Sequence, residues 1–439
     1  MNYPKTGWLA VQGKGQSPVF FPHPRSTFHA DPRSLSFILG PNMKKNVRIQ
    51  SGAIQTHSPQ MMPVRLIPTS QGDYLAGPFI AILTSSCRNG FRGNRQNFMD
   101  LIQTGRKMGV TIYVLTPEGI HPQSQTVRGW VLNTGNGKKR WLSATLPMPH
   151  VVYNRIPSRH MEQQAPEQKA LKFFHQHPRI NLFNPSFFNK WTLYQFLKES
   201  PQLKKLLPET HQWDAVTLKD MINKHGLLYL KPVDGKAGDG IIRVKSQDSS
   251  FEIIYQTLQR KQRITIKQWN DLLSKLTQLI GNRKYVVQQG IPLAKFQNRP
   301  FDLRLLMQKD KTGRWTLTGT GIRLAGREAI STHVPMGGSI GKMSTIMKSL
   351  FDDQSKKITW EIEQTGIQLA TYIEEKYGRN LGEMSMDLGM ETTGRLWFFE
   401  ANSKPMKFDE PKIRSDSLQK LIHYMLYLSG FHPIHQKRR

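Results

Sequence analysis

An intrachain disulfide is excluded at once, because the 439-residue chain holds a single cysteine, Cys87. That usage fits a reducing compartment, and Cys87 is read as an ordinary thiol rather than a nucleophile. Long apolar runs are also missing. None approaches the length that spans a bilayer, and the opening MNYPKTGWLAVQGKG lacks the apolar stretch of a secretory signal. A soluble, cytoplasmic protein with no membrane contact is expected. Acidic residues are scarce: 31 Asp and Glu stand against 62 Lys and Arg, a formal charge of +31. Such an excess attracts polyanions, whether nucleic acid, anionic polymer, nucleotide or acidic peptide, and does not choose among them. The basic residues are scattered. No helix-turn-helix cue, zinc-finger spacing or RNP motif accompanies them, so charge alone supports a nucleic-acid partner, and none is expected.

What is present suits a folded chain of two or three domains. Hydrophobic residues make up 38% of it, enough for sizeable cores. Residues 1–75 hold short β-like stretches, LSFILG, NVRIQSG and MMPVRLI, and predict a small β-rich domain. Over 76–180, PFIAILT, RQNFMDLIQTGRKMG and VTIYVLT read as strand, helix and strand, a βαβ unit that implies a parallel sheet. From 181 to 430 a third region opens, with a basic tail at 431–439. In it NKWTLYQFLKES and LKDMINKHG are helical. LLYLKPVDGKAGDGIIRVK is a hairpin around 226–246, and residues 251–283 read as polar helix. KYVVQQGI, FDLRLLMQKD and WTLTGTGIRLA are strands, KKITWEIEQTGIQLATYIEEKYG is a helix, and MSMDLGMETTGRLWFFEAN is a second hairpin.

Three constellations carry chemistry. In the first, Lys231 precedes PVDGKAGDG, where Gly235, Gly238 and Gly240 let backbone N–H groups approach an anion. It is neither a Walker loop nor a dinucleotide fingerprint, and GSIGKM at 338–343 has the wrong spacing for a Walker loop. Either a phosphate-covering hairpin or a plain turn remains. In the second, Glu400 and Asn402 end an apolar strand on one face, and residues 13 apart place Asp387 across the hairpin. Two carboxylates and an amide oxygen suit Mg²⁺, which fills its other positions with phosphate and water. A salt bridge to a residue such as Arg395 is the alternative. The third is a set of cations, Lys190, Lys231, Arg304 and Arg323. Those on apolar strands must meet partners.

In this order the motifs resemble the ATP-grasp superfamily over roughly 185–410. VVYNRIPSR, LYLKPVDGKAGDGIIRV, QQGIPLAKFQNRPFDLRLLMQ and FFEANSKPMK resemble, more narrowly, its YheC/YheD family, described as endospore coat-associated. The resemblance implies an ATP-grasp fold, two α+β subdomains clasping ATP, preceded by a pre-ATP-grasp-like α/β domain and the β-rich N-terminal domain. It implies that Lys190 and Lys231 contact nucleotide phosphates and that Gly235, Gly238 and Gly240 form a mobile lid. Backbone groups of Gln289, Gly290 and Ile291 would hold adenine. Arg304 and Arg323, with Lys231, would act on the transferring phosphate. Asp387, Glu400 and Asn402 would hold Mg²⁺, two ions with Glu400 bridging them. The implied reaction joins a carboxylate to an amine through an acyl phosphate. A nucleotide-binding coat or scaffold protein without turnover is the alternative. STHVPMGG, with His333, stands where related ligases often carry asparagine, so the acceptor side departs from the pattern. An acidic peptide or polymer is the expected substrate, with Arg327 and Lys342 near it.

Overall fold

The computed structural model describes residues 6–10, 17–24, 34–50, 61–134, 139–233, 239–257, 259–326, 332 and 338–431. Six N-terminal strands, from Thr6–Ala10 to Tyr74–Gly77, close into a barrel. Alternation explains it: Leu9, Phe20, Phe37, Val47 and Val64 turn inward and are fully buried. Closure leaves no strand edge exposed. The sixth strand ends at Gly77, so the barrel runs two residues past the expected boundary at 75.

The βαβ unit forms as predicted. Phe79–Leu83 pairs in parallel with Thr111–Leu115, and helix Arg95–Lys107 connects them. Asn94 caps that helix by accepting from Asn97 N–H at 3.0 Å. The sheet is mixed rather than purely parallel: Val151–Asn154 and Asn181–Phe183 extend it in parallel, while Thr126–Asn133 and Arg140–Pro147 add antiparallel strands.

The third region contains two further sheets. The lid sheet runs in the order Thr210–Gln212, Tyr285–Gln289, Leu227–Pro232, Ile241–Gln247, Ser250–Gln256 and Lys261–Ile266. Its last two strands correct the expectation of helix across 251–283, where only Trp269–Ile280 is helical. The reason is visible in FEIIYQ and RITI, whose β-branched and aromatic residues suit a pleated, half-buried surface. Leu272, Leu276 and Ile280 of the helix then cover Leu228, Leu230 and Val287.

The second, or carboxylate, sheet is built on strands Arg299–Lys309, Trp315–Leu324, Glu383–Met390 and Leu396–Asn402. Leu303, Leu305, Met307, Met384, Met386 and Leu388 form its apolar face, packed with Ile362, Leu369 and Ile373 of helix Ser355–Tyr377. The intervening residues, including Asp302, Arg304, Gln308, Glu383 and Asp387, therefore share the opposite face. The C-terminal helix Pro411–Leu428 returns to the βαβ domain. Its Leu421, Ile422 and Met425 share one core with Phe98, Leu101 and Ile102, so the expected domains are fused at this surface.

Candidate nucleotide and metal site

The strand Leu396–Asn402 reaches the site only because it is irregular. Leu388 pairs with Phe398, while Asp387 pairs with Glu400, so Phe399 is an extra residue at a β-bulge. Without it, simple alternation would place Phe399 opposite Asp387 and turn Glu400 toward the core. The bulge restores the face, and Asn402 follows opposite Ser385. The tip is then tied down. Ser403 Oγ donates to Ser186 O at 2.7 Å, and the Lys404 ammonium meets the Glu162 carboxylate of the preceding domain. Burial lowers the Lys404 pKa to about 8, against the pull of Glu162.

Arginine forks fill the centre of this face. Arg304 donates from Nε and Nη2 to the two Asp387 oxygens, both at 2.9 Å. Arg323 donates from Nε to Asp302 Oδ1 at 2.8 Å and from Nη2 to Oδ2 at 2.5 Å, and the same Nη2 lies 2.8 Å from Asp387 Oδ2. Thr332 Oγ1 donates to Asp302 at 2.5 Å. Cross-strand register produces the set, with Asp302 opposite Arg323 and Arg304 opposite Asp387. Burial alone would lower the Arg323 pKa, but Asp387 and Asp302 outweigh it and raise it; Asp387 likewise raises Arg304 against the effect of burial. Arg323 Nη1 is buried and has no hydrogen-bond partner among the described residues. An orphaned buried donor is costly, and an anion's oxygen would relieve it.

Lys190 and Lys231 converge from the other side. Helix Lys190–Glu199 starts at Lys190, with Asn189 accepting from the N–H groups of Trp191 and Thr192. Lys190 Nζ lies 2.7 Å from Glu400 Oε2. Lys231, on the lid sheet, donates from Nζ to Gln288 Oε1 at 2.6 Å and sits 5.2 Å from the Phe399 ring centroid. Gln288 Nε2 in turn donates to Thr210 Oγ1 at 3.0 Å. Burial, reinforced by Lys190, lowers the Lys231 pKa to about 8, while Glu400, Asp387 and Asp302 partly offset it. Lys190, Lys231, Gln288 and Glu400 line one cleft, with Tyr194 and Phe399 as its aromatic walls.

The expected residues are thus largely brought together. Asp387 faces Glu400, and Asn402 Nδ2 donates to Glu400 Oε1 at 3.3 Å. Arg395 does not reach the carboxylates; its guanidinium lies 4.2 Å over the Trp397 ring. At the expected hinge, Gln289 N–H donates to Glu209 O and Gly290 N–H to Leu227 O, both at 2.8 Å. Those two N–H groups serve the sheet, and Ile291 follows them. Gly240 has φ of 76°, a left-handed conformation natural to glycine, and its carbonyl accepts from Tyr285 Oη at 2.8 Å. Gly235, Gly238, Arg327 and His333 lie outside the described residues. The D-x-R spacing put Asp302 on one strand face with Arg304 but gave it no role; the structure makes it the partner of Arg323. Sequence reasoning missed Gln288, whose signal is a polar residue inside an otherwise apolar strand.

Mg²⁺ fits these donors in a specific way. No group of three or more His, Cys, Asp or Glu residues able to hold a metal occurs among the described residues. Asp387, Glu400 and the Asn402 amide oxygen offer the one or two carboxylates that Mg²⁺ takes, so its remaining ligands would come from nucleotide phosphates and water. The carboxylates are meanwhile neutralised by Arg304, Arg323 and Lys190.

Known proteins are similar to this chain in sequence. Endospore coat-associated protein YheD of Bacillus subtilis (strain 168) is 28% identical over 366 residues, covering 81% of this chain and 79% of the relative. Endospore coat-associated protein YheC of the same organism is 22% identical over 314 residues, covering 70% and 84% respectively. Among solved structures, D-alanyl-alanine synthetase A from Vibrio cholerae aligns with a TM-score of 0.45 at 11% identity, covering 81% of this chain and 98% of its own. The family model for YheC/D-like ATP-grasp proteins matches residues 179–428, which contain the lid sheet, the carboxylate sheet and the cleft between them, and the chain belongs to that family.

Proposed function

We propose that the chain is an ATP- and Mg²⁺-dependent ligase that joins a carboxylate to an amine through an acyl phosphate. One observation carries this reading. Two lysines and a carboxylate converge on one cleft, beside a sheet face where Arg323 keeps a buried donor without a partner among the described residues. In the reaction, a carboxylate oxygen attacks the γ-phosphorus, the bond to the β–γ bridging oxygen breaks, and ADP leaves. An amine nitrogen then attacks the acyl carbon. The carbon–oxygen bond to phosphate breaks, and the amine loses a proton.

Phosphoryl transfer of this kind needs positioning and charge neutralisation more than covalent help. Lys190 and Lys231 bind nucleotide phosphates, and Arg304 and Arg323 stabilise charge on the transferring group. Bound Mg²⁺ supplies further neutralisation, held by Asp387, Glu400 and Asn402. The +31 charge supports a carboxylate-rich peptide or polymer as substrate. Lys342, at the start of helix Met343–Phe351, supports an anion on the acceptor side. The names of the Bacillus relatives support association with the spore coat.

The test is to incubate the protein with Mg·ATP and pooled amino acids or acidic peptides, then follow phosphate release and product mass. Coupled release and a product lighter by one water than its two substrates are expected. A second reading, a nucleotide-binding coat protein without turnover, is favoured by the pairing of both carboxylates with protein cations. Nucleotide binding with no phosphate release under any substrate would establish it.

A further inference from the structure

One ion pair between the domains lies outside the nucleotide cleft. The side chains of Lys404 and Glu162 are 3% and 7% exposed, and neither lines the cleft. A buried pair of this kind is a weak source of stability. Taking two charges out of water offsets their attraction, and an apolar pair of similar volume often serves as well. Its placement says more than its energy.

The two Glu162 oxygens hold different chains. Oε2 accepts from the Lys404 ammonium, two residues beyond Asn402 and four beyond Glu400. Oε1 accepts from Phe187 N–H at 3.1 Å, three residues before Lys190. The Phe187 ring centroid lies 4.3 Å from the same ammonium, so the two chains also touch each other. Lys190 and Glu400 are the residues that meet at 2.7 Å in the cleft. One carboxylate therefore ties together, a few residues back, the two chains whose side chains make that contact. Glu162 is itself held. Asn154 Nδ2 donates to its Oε2 at 3.1 Å and to Pro185 O at 2.8 Å, and Ser158 caps the short helix Arg159–Glu162 by accepting from Met161 N–H. These residues belong to VVYNRIPSRHME at 151–162, a strand of the βαβ domain and the turn after it, to which the nucleotide chemistry gives no role.

We propose that Glu162 is a positioning residue. From the preceding domain it sets where Lys190 stands relative to Glu400 and Asn402, and so how well the cleft holds a metal-bound nucleotide. Residues behind a site hold its ligands within the tolerance that binding needs. The inference rests on the ligase reading for its ligand, Mg·nucleotide. The full chain is titrated calorimetrically with ADP in excess Mg²⁺ and with ADP in EDTA, and the ratio of the two affinities measures what the metal adds. Two paired substitutions avoid burying one charge alone, and melting temperature checks that they fold. Glu162→Gln with Lys404→Met keeps an oxygen for Phe187 N–H but releases the chain that follows Asn402. The metal's contribution should fall about tenfold, the lower end of what losing a metal ligand's outer support costs, while affinity for ADP in EDTA stays within about twofold of the parent. Glu162→Leu with Lys404→Met releases Phe187 as well, so affinity for ADP in EDTA should also fall at least about threefold, the low end for one hydrogen bond. Asp100→Asn cuts a different ion pair between the same regions, to Arg414 of the C-terminal helix, and should change neither quantity. Losses as large from Asp100→Asn would overturn the proposal. So would equal behaviour of the two paired variants, because the carboxylate would then hold only one chain. A parent that binds no Mg·ADP would remove the ligase reading and the positioning role with it. A parent that binds Mg·ADP, with both folded variants unchanged, would remove the positioning role alone.

Discussion

Across the nucleotide cleft, two sheets hold their cations in opposite ways. On the carboxylate sheet, Arg304 and Arg323 each fork onto an aspartate through two hydrogen bonds. The planar guanidinium is preorganised for that geometry. On the lid sheet, Lys231 is held by one amide oxygen and faces an aromatic ring. The consequence appears in their proton affinities, raised for Arg323 and lowered to about 8 for Lys231. One sheet has satisfied its charges before any ligand arrives. The other carries a cation that is short of negative charge, so an arriving phosphate gains most there. A floor of paired charges and a roof with one under-paired cation suit the proposed ligase, which must orient a reacting phosphate yet admit and release a nucleotide.

The largest expected effect breaks the floor. Arg323→Met leaves Asp302 with Thr332 as its remaining described donor and removes one of the two arginines from Asp387. Stability should fall by about 3–5 kcal/mol, the usual cost of stripping one partner from a buried ion pair. Urea denaturation measures it, and adding Asp302→Leu should recover much of the loss. A drop below about 1 kcal/mol would mean that the network does not hold the sheet. Glu400→Gln comes next. It removes charge at the proposed metal site without altering shape. Turnover should fall at least about a hundredfold, while circular dichroism and melting temperature stay near those of the parent. Unchanged Mg²⁺-dependent phosphate release would refute the metal assignment.

The floor was far easier to find in the sequence than the roof. Its residues sit on long strands with strict alternation, so Arg304, Asp387 and Glu400 announce themselves as charges on apolar strands. Even there the reading succeeded partly by compensation. Glu400 faces Asp387 through a bulge at Phe399 that no spacing rule reveals, although the separation of 13 residues was correct. On the lid sheet, the strands Ser250–Gln256 and Lys261–Ile266 were read as helix because their polar residues mask the alternation. Gln288 was overlooked because a glutamine acquires meaning only once Lys231 is seen beside it. The contact between the domains was illegible for a different reason. Tyr153, Gln308 and Glu383 come from separate elements and meet through hydrogen bonds and the packing of the C-terminal helix onto the βαβ domain.

The smallest expected effects sharpen the roof. Lys231→Ala should weaken Mg·ADP binding by roughly 1.5–3 kcal/mol, the worth of a hydrogen bond to a charged group. Calorimetric titration across pH then tests the charge itself. The Lys231 ammonium has a pKa of about 8 in the free protein, so it is mostly charged below that pH and mostly neutral above it. A bound phosphate favours the charged form and raises the pKa, so binding above pH 8 takes up a proton. Affinity should therefore decline as pH rises beyond 8, with a limiting slope of roughly tenfold per unit. Stability of the free protein carries the opposite sign. Between about 8 and the ordinary lysine value of 10.5, the unfolded chain binds more protons than the folded one, so the Lys231 contribution to stability rises with pH in that window. Gln288→Leu removes the ammonium's hydrogen-bond acceptor at a cost of about 1 kcal/mol. It should lower the Lys231 pKa further, and the decline in affinity should begin at a lower pH. Lys231→Ala should flatten the profile. A profile that survives Lys231→Ala would assign the pH dependence to another group and remove the contrast between the two sheets.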